Sequence, residues 1–350
     1  MEPMKQGLFK SIYSPPSARS TWRLNDLIPS RQIRYFSFAR RALAAGLNAT
    51  AIRKGHCVLL PQFICRDILS SLAAVGARPV FYPVDARLQP AREPKDWPQA
   101  SAVIAVNYFG FPQNLEPFRR YCALNNAVLI EDNAHGLFSR DDLGQLLGTR
   151  TEMGIFSLRK TLPLPDGAAL SLSSDRNWNI NGKDSFETSN SLRYHLKQSY
   201  RALARHFGAT HAFRGISLLR NLRRLRTGNR LPEPEVQSEH YLPFPENPCE
   251  QLANPILVAD PELEEKRRRT LYETVGNSLR KAGFEPLFET LPKGVVPYAF
   301  PFRASPEIIG KAFEILSSLG LEPLSWPDLP STLGETPTHY RNLWLVHFLW

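Results

Sequence analysis

A chain of 350 residues is long enough for two ordinary domains and for a large buried core. Apolar residues make up 43% of it and charged residues 22%, which excludes disordered, collagen-like and disulfide-stapled proteins. No apolar run approaches the roughly 18 residues that span a bilayer, and residues 1–17 lack the apolar core of a signal peptide. The sequence therefore predicts a cytoplasmic protein without a membrane span.

The cysteines of the chain show no pattern that would bind a metal or build a disulfide framework. They form no CxxC pair and have no histidine at metal-ligand spacing. The four residues are Cys57, Cys65, Cys122 and Cys249. We therefore expect reduced thiols and no metal site.

Basic residues outnumber acidic ones by 43 to 33, and the excess is concentrated in one stretch. Residues 193–230 contain ten lysines and arginines and no acidic residue. The summed field of such a stretch attracts anions, although a solvated surface is the more frequent explanation. Because no nucleic-acid motif accompanies the stretch, we expect no nucleic-acid partner. A solvated surface and a site for a nucleotide diphosphate both remain open.

Taken in chain order, the sequence begins with an arm over residues 1–30, in which four prolines interrupt any periodicity. Helical patterns then alternate with short apolar runs that are typical of buried strands. The helices are predicted over residues 34–47, 66–75 and 115–125, and the strands over 57–61, 79–82, 102–106, 127–130 and 154–156. Such alternation indicates a largely parallel sheet covered on both faces. We predict an α/β large domain over residues 31–248.

The rhythm changes in the second half of the chain. Residues 171–250 contain polar loops, the basic stretch and a proline-rich passage. Beyond them the sequence predicts further elements: helices over 262–282 and 306–319, strands over 295–302 and 321–326, and an apolar, strand-like end over 343–350. This pattern indicates a small α+β domain over residues 249–350.

Polar side chains follow two of the predicted strands, at the edge where open α/β sheets bind ligands. Asp132 and His135 come after one strand, and Ser157 and Lys160 after another. A lysine between an apolar strand and a proline-rich loop can be partly desolvated, which lowers the pKa of its amine and makes it nucleophilic toward aldehydes. Each pair alone is more often a turn or a surface feature. Their combination is the stronger signal.

The spacing of these residues resembles that of pyridoxal-phosphate (PLP) enzymes with the aspartate-aminotransferase fold, fold type I. Four further segments resemble the DegT/DnrJ/EryC1/StrS sugar aminotransferase family in order and spacing. They lie at residues 53–61, 76–85, 106–110 and 130–135, and residues 326–330 resemble the end of that family's small domain. The resemblance implies a PLP-binding large domain with a mostly parallel sheet, followed by the small α+β domain.

The resemblance also implies roles for the residues at the centre of the site. Lys160 would bind the cofactor aldehyde covalently and later move a proton between substrate and cofactor. Asp132 would pair with the pyridine nitrogen and keep it protonated. His135 would form a hydrogen bond near the cofactor's phenolic oxygen.

The remaining cofactor contacts are implied with departures from the family pattern. Ser157 and the backbone where Ala39 and Arg40 open a helix would hold the phosphate, since helix N-termini bind anions. Relatives have Gly-Thr or Ser-Ala-Thr at this place, so Arg40 either binds phosphate or points to solvent. Phe63 or Cys65 would stack on the ring, although most relatives carry an aromatic residue where Cys65 aligns. The segment that binds the cofactor across a dimer interface in relatives is not recognisable.

Together the motifs imply a homodimeric, PLP-dependent aminotransferase that moves an amino group from an amino-acid donor to a nucleotide-linked keto sugar. One alternative is other PLP-dependent chemistry on a sugar or an amino acid. Lys160 speaks against a sugar dehydrase, because histidine replaces this lysine in those relatives. The other alternative is a binding or scaffold protein that has lost catalysis. The departure from the family pattern at Ala39 and Arg40, the altered phosphate loop, favours this alternative.

Overall fold

The computed structural model describes residues 22–180, 185–188, 192, 194–196, 199, 218, 222, 236–253, 260–319 and 321–348. Its largest element is a seven-stranded sheet. The strands are β1 (Arg31–Phe36), β2 (Cys57–Pro61), β3 (Arg78–Tyr82), β4 (Ala102–Val106), β5 (Val128–Asn133), β6 (Met153–Phe156) and β7 (Ala168–Ser173). Their order is β1-β7-β6-β5-β4-β2-β3, and within this sheet β7 runs antiparallel to both of its neighbours while the other pairs are parallel. The predicted mostly parallel sheet is confirmed.

Helices accompany this sheet, and all but the first, which lies in the region predicted as an arm, follow the order that the alternating pattern predicts. They are α1 (Leu24–Leu27), α2 (Ala39–Ala49), α3 (Leu69–Val75) and α4 (Glu116–Asn125). Helix α2 packs closely on the sheet because Gly46 has no side chain: a Cβ there would lie 2.6 Å from Met153 Sδ. This packing fixes the N-terminus of α2 beside the carboxyl end of β6.

The predicted helix over residues 34–47 was wrong at its beginning, where the structure has β1. Strand β1 pairs along its whole length with β7, which the sequence pattern did not identify. Ile33, Tyr35 and Phe36 favour a strand in such a setting. Because the pairing partner lies more than 130 residues away, a local pattern could not reveal it.

A second sheet of four antiparallel strands lies in the C-terminal part of the chain. It is formed by β8 (Glu285–Pro286), β9 (Ala299–Arg303), β10 (Leu324–Ser325) and β11 (Leu343–His347), in the order β10-β11-β9-β8. The helices beside it are α5 (Pro261–Lys281), α6 (Ile309–Ser318) and α7 (Thr338–Arg341). The side chain of Asp260 caps α5 by accepting hydrogen bonds from the N–H groups of Glu262 and Leu263. The predicted small α+β part is confirmed, while the exact division at residue 248 stays a prediction.

Two regions singled out in the sequence lie largely outside the described residues. They are the first 21 residues of the N-terminal arm and all ten basic residues of the stretch at 193–230. Among the residues that are described, no helix combines the length and the apolar character that crossing a bilayer requires.

Gly154 on β6 illustrates how tightly the strand that leads to Lys160 is packed. A Cβ at this position would lie 1.8 Å from the carbonyl oxygen of Gly148. Overpacking against backbone cannot be relieved by a side-chain rotation, so Gly154→Ala should lower the free energy of unfolding by about 3 kcal/mol. Urea denaturation measures this loss.

Gly310 on α6 provides the matched control, because a Cβ added there would meet nothing within 4 Å besides its chain neighbours and the backbone of its own helix. Alanine is the better helix former by about 1 kcal/mol, so Gly310→Ala should leave stability equal or higher. An equal loss of stability in both variants would contradict the steric account of Gly154.

Candidate active site

A cavity of about 260 Å³ opens at the carboxyl ends of β4, β5 and β6. It contains seven of the eight residues that the sequence singled out. These are Ala39, Arg40, Cys65, Asp132, His135, Ser157 and Lys160. The N-terminus of α2 and the segment after β2 form further parts of the wall. Residues that are distant in sequence are thus brought to one place.

Phe63 is the candidate that does not line this cavity. Its side chain is fully buried and packs among the rings of Tyr108, Trp326 and Tyr340 at centroid distances of 5.1 to 5.9 Å. Of the two residues proposed to stack on a cofactor ring, only Cys65 therefore reaches the cavity. Burial raises the pKa of the Cys65 thiol to about 11, with Asp67 adding to the shift, so the thiol is neutral.

Lys160 enters the cavity from a single turn of 3-10 helix, Leu158–Lys160, that follows β6 directly. Its Nζ lies 3.0 Å from His135 Nε2 and 5.5 Å from the centroid of the Tyr298 ring. Burial lowers the pKa of the Lys160 amine, and the neighbouring Arg159 guanidinium lowers it further. The amine is therefore available as a free base at lower pH than an ordinary lysine.

The position of His135 independently indicates that the Lys160 amine is neutral. Its ring is stacked between Tyr298, at 4.2 Å, and Phe109, at 5.8 Å. The backbone N–H of Phe109 donates to His135 Nδ1 at 3.3 Å, so the proton of the neutral imidazole is on Nε2. That N–H points at Lys160 Nζ, which can accept only as a neutral amine. Burial holds the pKa of His135 well below its usual range.

Asp132 stands at the carboxyl end of β5 and lines the same cavity. Its Oδ1 accepts a hydrogen bond from the backbone N–H of Ala134 at 3.0 Å, and within the described part of the chain Oδ2 has no such bond. Burial raises the pKa of this carboxyl group, while the hydrogen bond from the Ala134 N–H opposes the shift. A cation bound beside Asp132 in the cavity would therefore stabilise the ionised form of this carboxyl group.

The end of the cavity beside α2 is suited to bind an anion. The N–H groups of Arg41 and Ala42 bond to Phe38 O, so those of Ala39 and Arg40 precede the first hydrogen bond of the helix. Free N–H groups at a helix N-terminus, together with the helix dipole, favour a phosphate. The side chains at residues 39 and 40 depart from the family pattern, but their backbone N–H groups can still donate to an anion.

Two guanidinium groups and a hydroxyl lie at the same end. Arg40 forms an ion pair with Asp67 at 3.4 Å, and Arg159 lies over the Phe38 ring at 5.2 Å. Ser157 is buried directly before the turn Leu158–Lys160, which we call the lysine turn, and it lines the cavity. Sequence reasoning missed Arg159, although its position next to Lys160 was the signal that could have identified it.

Two aromatic residues complete the wall and were also not identified as site residues. Tyr298 comes from the loop before β9, and Trp326 follows β10. Tyr298 is held by its backbone N–H, which donates to Phe109 O at 2.8 Å. Their contact with the site depends on how the C-terminal part packs on the large sheet, so no sequence motif near Lys160 predicts that they line the cavity.

The donor set fits a cofactor that carries an aldehyde, a cationic ring nitrogen and a phosphate. A neutral amine, a carboxylate and an anion-binding helix terminus lie around one cavity, each in a separate part of its wall. The described residues contain no group of three or more side chains that could hold a metal ion. The arrangement is therefore suited to PLP.

Comparison with known proteins gives the same family as the sequence motifs. The model of the DegT/DnrJ/EryC1/StrS aminotransferase family matches residues 36–180. UDP-N-acetyl-3-dehydro-alpha-D-glucosamine 3-aminotransferase of Acidithiobacillus ferrooxidans is 29% identical over 120 residues, which are 33% of this chain and 32% of that protein. GDP-perosamine synthase of Vibrio cholerae is 28% identical over 140 residues, which are 38% of each chain. The matched region thus covers about a third of the length of these curated relatives.

A solved structure extends the likeness to most of the chain. NtdA from Bacillus subtilis with bound cofactor PMP superposes with a TM-score of 0.55 at 14% sequence identity. The match covers 93% of this chain and 71% of that one. At this identity the likeness concerns the fold. Over residues 36–180 the chain is similar to the DegT/DnrJ/EryC1/StrS aminotransferase family, and over nearly its whole length it shares the fold of NtdA.

Proposed function

We propose that this protein is a PLP-dependent aminotransferase that transfers an amino group from an amino acid to a nucleotide-linked keto sugar. The observation that carries the proposal is the hydrogen bond between Lys160 Nζ and His135 Nε2, which requires a neutral lysine, in the same cavity as Asp132. The names of the two curated relatives support the substrate class, since one contains a UDP-sugar and the other a GDP-sugar. A homodimer is part of the same proposal and follows from the family resemblance.

PLP, when bound, supplies an electron-accepting ring that makes the C–H bond beside an amino group acidic. Lys160 Nζ would hold the aldehyde end and, once released, carry a proton as a general base. Asp132 would keep the ring nitrogen protonated through its Oδ2. His135 Nε2 would direct its N–H toward the lysine and the adjacent phenolic oxygen. Tyr298 would close the cavity above His135 and keep bulk water from the lysine.

Spectroscopy combined with half-reactions tests the proposal. The purified protein incubated with PLP should develop a visible absorbance band that candidate donor amino acids bleach. A nucleotide-linked keto sugar should then restore the band. A protein that binds PLP but reacts with no donor would favour other PLP chemistry. A protein that never develops the band would favour the scaffold alternative.

Arg159 gives a test of the phosphate end of the cavity. A charge-assisted hydrogen bond contributes about 1.5–3 kcal/mol, so Arg159→Gln should weaken PLP binding about ten- to a hundredfold. Binding of pyridoxal, which has no phosphate, should change little. Fluorescence titration of the cofactor-free protein with both compounds measures the difference.

Arg176→Gln is the matched control, because Arg176 is exposed and forms its ion pair with Glu152, outside the cavity. It should leave the affinity for both compounds as in the wild type. If Arg159→Gln weakened pyridoxal as much as PLP, Arg159 would not be a phosphate ligand.

A further inference from the structure

Helix α5 carries a buried cluster of charges that the proposed chemistry does not use. Glu264 is fully buried and accepts hydrogen bonds from Arg268 Nε at 2.6 Å and from Arg267 Nε at 2.8 Å. Both arginines are buried as well, Arg268 to 99% of its surface. Removing such charges from water costs several kcal/mol per ion unless every group finds a partner. The other hydrogen-bond partners of the two arginines therefore show which segments of the chain this cluster joins.

The other two guanidinium nitrogens of Arg268 donate to backbone carbonyls of two separate segments. Nη2 lies 3.1 Å from Lys160 O and 3.4 Å from Thr161 O. Nη1 lies 3.2 Å from Pro297 O and 3.5 Å from Tyr298 O. A single planar group thus joins the main chain below Lys160 to the main chain of Tyr298, whose ring the lysine amine faces.

We propose that Arg268 is the positioning residue of Lys160. It fixes the backbone at Lys160 and Tyr298 so that the amine stays between His135 and the Tyr298 ring. Arg268 does not line the cavity and acts only through these backbone contacts. The proposal rests on the proposed function only in taking Lys160 as the reacting amine.

The lysine turn needs such an external partner. A single 3-10 turn supplies few hydrogen bonds of its own, and Pro163 and Pro165 soon after it have no N–H to donate. Among the described residues, Arg268 alone donates to the carbonyls of Lys160 and Thr161, and the loss of its hydrogen bonds would cost about 1–3 kcal/mol each. A four-carbon side chain is placed accurately only when its backbone is fixed, since its own torsions are free.

Arg267 provides a control within the same cluster. It pairs with the same Glu264, but its Nη2 donates to Phe348 O at 2.8 Å instead of to the lysine turn. Arg267→Lys and Arg268→Lys therefore make the same chemical change on adjacent residues of one helix. Both keep a positive charge beside Glu264 and both lose the planar fork. Only Arg268→Lys releases Lys160.

The pKa of Lys160 reports its position, because both variants keep the net charge around it. The groups that face the amine come from every element of the cavity wall. They are His135 and Asp132 from the region of β5, Cys65 and Asp67 from the segment after β2, Arg159 from the lysine turn, and Tyr298 from the loop before β9. Neither substitution alters any of these residues. A change in the pKa then means that the amine has moved toward solvent.

Trace acetylation of the cofactor-free protein with acetic anhydride, followed by mass spectrometry of the Lys160 peptide, measures that pKa across pH. Arg268→Lys should raise it by about one unit toward that of an exposed lysine, so that labelling near pH 8 falls about tenfold. Arg267→Lys should leave the Lys160 pKa as in the wild type even where it lowers the melting temperature. Equal pKa values in all three proteins would overturn the proposal, and so would equal shifts in both variants.

Two further measurements keep the test decisive. If Arg268→Lys did not fold, Glu264→Asp would keep the charge but shorten the side chain that holds the guanidinium, and the Lys160 pKa should rise by a smaller amount. An unchanged pKa there would count against the proposal. Borohydride trapping of PLP on wild-type Lys160 tests the proposed function separately. Its failure would refute the cofactor role, while the acetylation series would still decide what Arg268 does.

Discussion

Lys160→Ala is expected to give a folded protein that no longer binds PLP covalently and has lost at least about a thousandfold in turnover, the scale of general-base catalysis together with a missing nucleophile. The fold should persist because the side chain projects into the cavity, where its contacts are with His135 and the Tyr298 ring. The backbone bonds of the turn to Arg268 do not depend on the lysine side chain. The substitution therefore separates chemistry from stability.

Borohydride reduction followed by peptide mass spectrometry measures the covalent link directly. In the wild type the reduced cofactor should be found on Lys160, and in Lys160→Ala it should be found on no residue. Lys95→Ala, at an exposed position outside the cavity, should behave as the wild type. Label on a lysine other than Lys160 in the wild type would contradict the assignment.

The centre of the site could be predicted from the sequence because it depends on local rules. Asp132 and Lys160 each follow a buried apolar strand, and carboxyl ends of neighbouring parallel strands meet at one edge of a sheet. Strands β5 and β6 are such neighbours, so residues that are far apart along the chain lie around one cavity. The same rule accounts for Ser157 and His135.

The rest of the site could not be predicted because it depends on packing between distant segments. Tyr298 and Trp326 reach the cavity from the C-terminal part, and Arg268 reaches Lys160 from a helix 108 residues further along the chain. No periodicity links such positions. Similarly, strand β7 was missed since its role follows from pairing with β1 at the edge of the sheet.

The altered phosphate loop motivated the alternative of a scaffold without catalysis. Arg40 departs from the pattern that the family resemblance implies, yet Arg159, Ser157 and the backbone N–H groups of α2 remain at that end of the cavity. Two guanidinium groups favour a dianion more strongly than one hydroxyl would. The alteration of the motif is therefore compatible with retained cofactor binding, and the absorbance and half-reaction measurements decide between an active enzyme and a scaffold.

Asp132→Asn should retain PLP but slow proton abstraction from the donor amino acid about a hundredfold, as expected when a cation loses a carboxylate partner that supports its pKa by about two units. The amide keeps the shape of the carboxylate and can still accept from the Ala134 N–H. Without the negative charge the ring nitrogen is no longer held protonated. Stopped-flow bleaching by the donor amino acid reports this step, and a wild-type rate would refute the role of Asp132.

Stability separates this effect from misfolding. Burial raises the pKa of Asp132 in the folded protein, so its charge opposes folding at neutral pH in the cofactor-free state. Asp132→Asn should therefore be as stable as the wild type or more stable at pH 7. This gain should vanish below about pH 3, where the carboxyl group is protonated in both the folded and the unfolded state.

Glu131, the preceding residue on β5, is the matched control on the other face of the strand. It is fully buried and pairs with Arg150 at 2.7 Å, outside the cavity. Glu131→Gln breaks a buried ion pair and should cost about 3 kcal/mol of stability while leaving the rate of donor deprotonation near that of the wild type. Adjacent carboxylates on one strand would then show opposite effects, one on catalysis and the other on folding. Loss of rate in both variants, in proportion to their stability, would instead mean that Asp132 acts only through the fold.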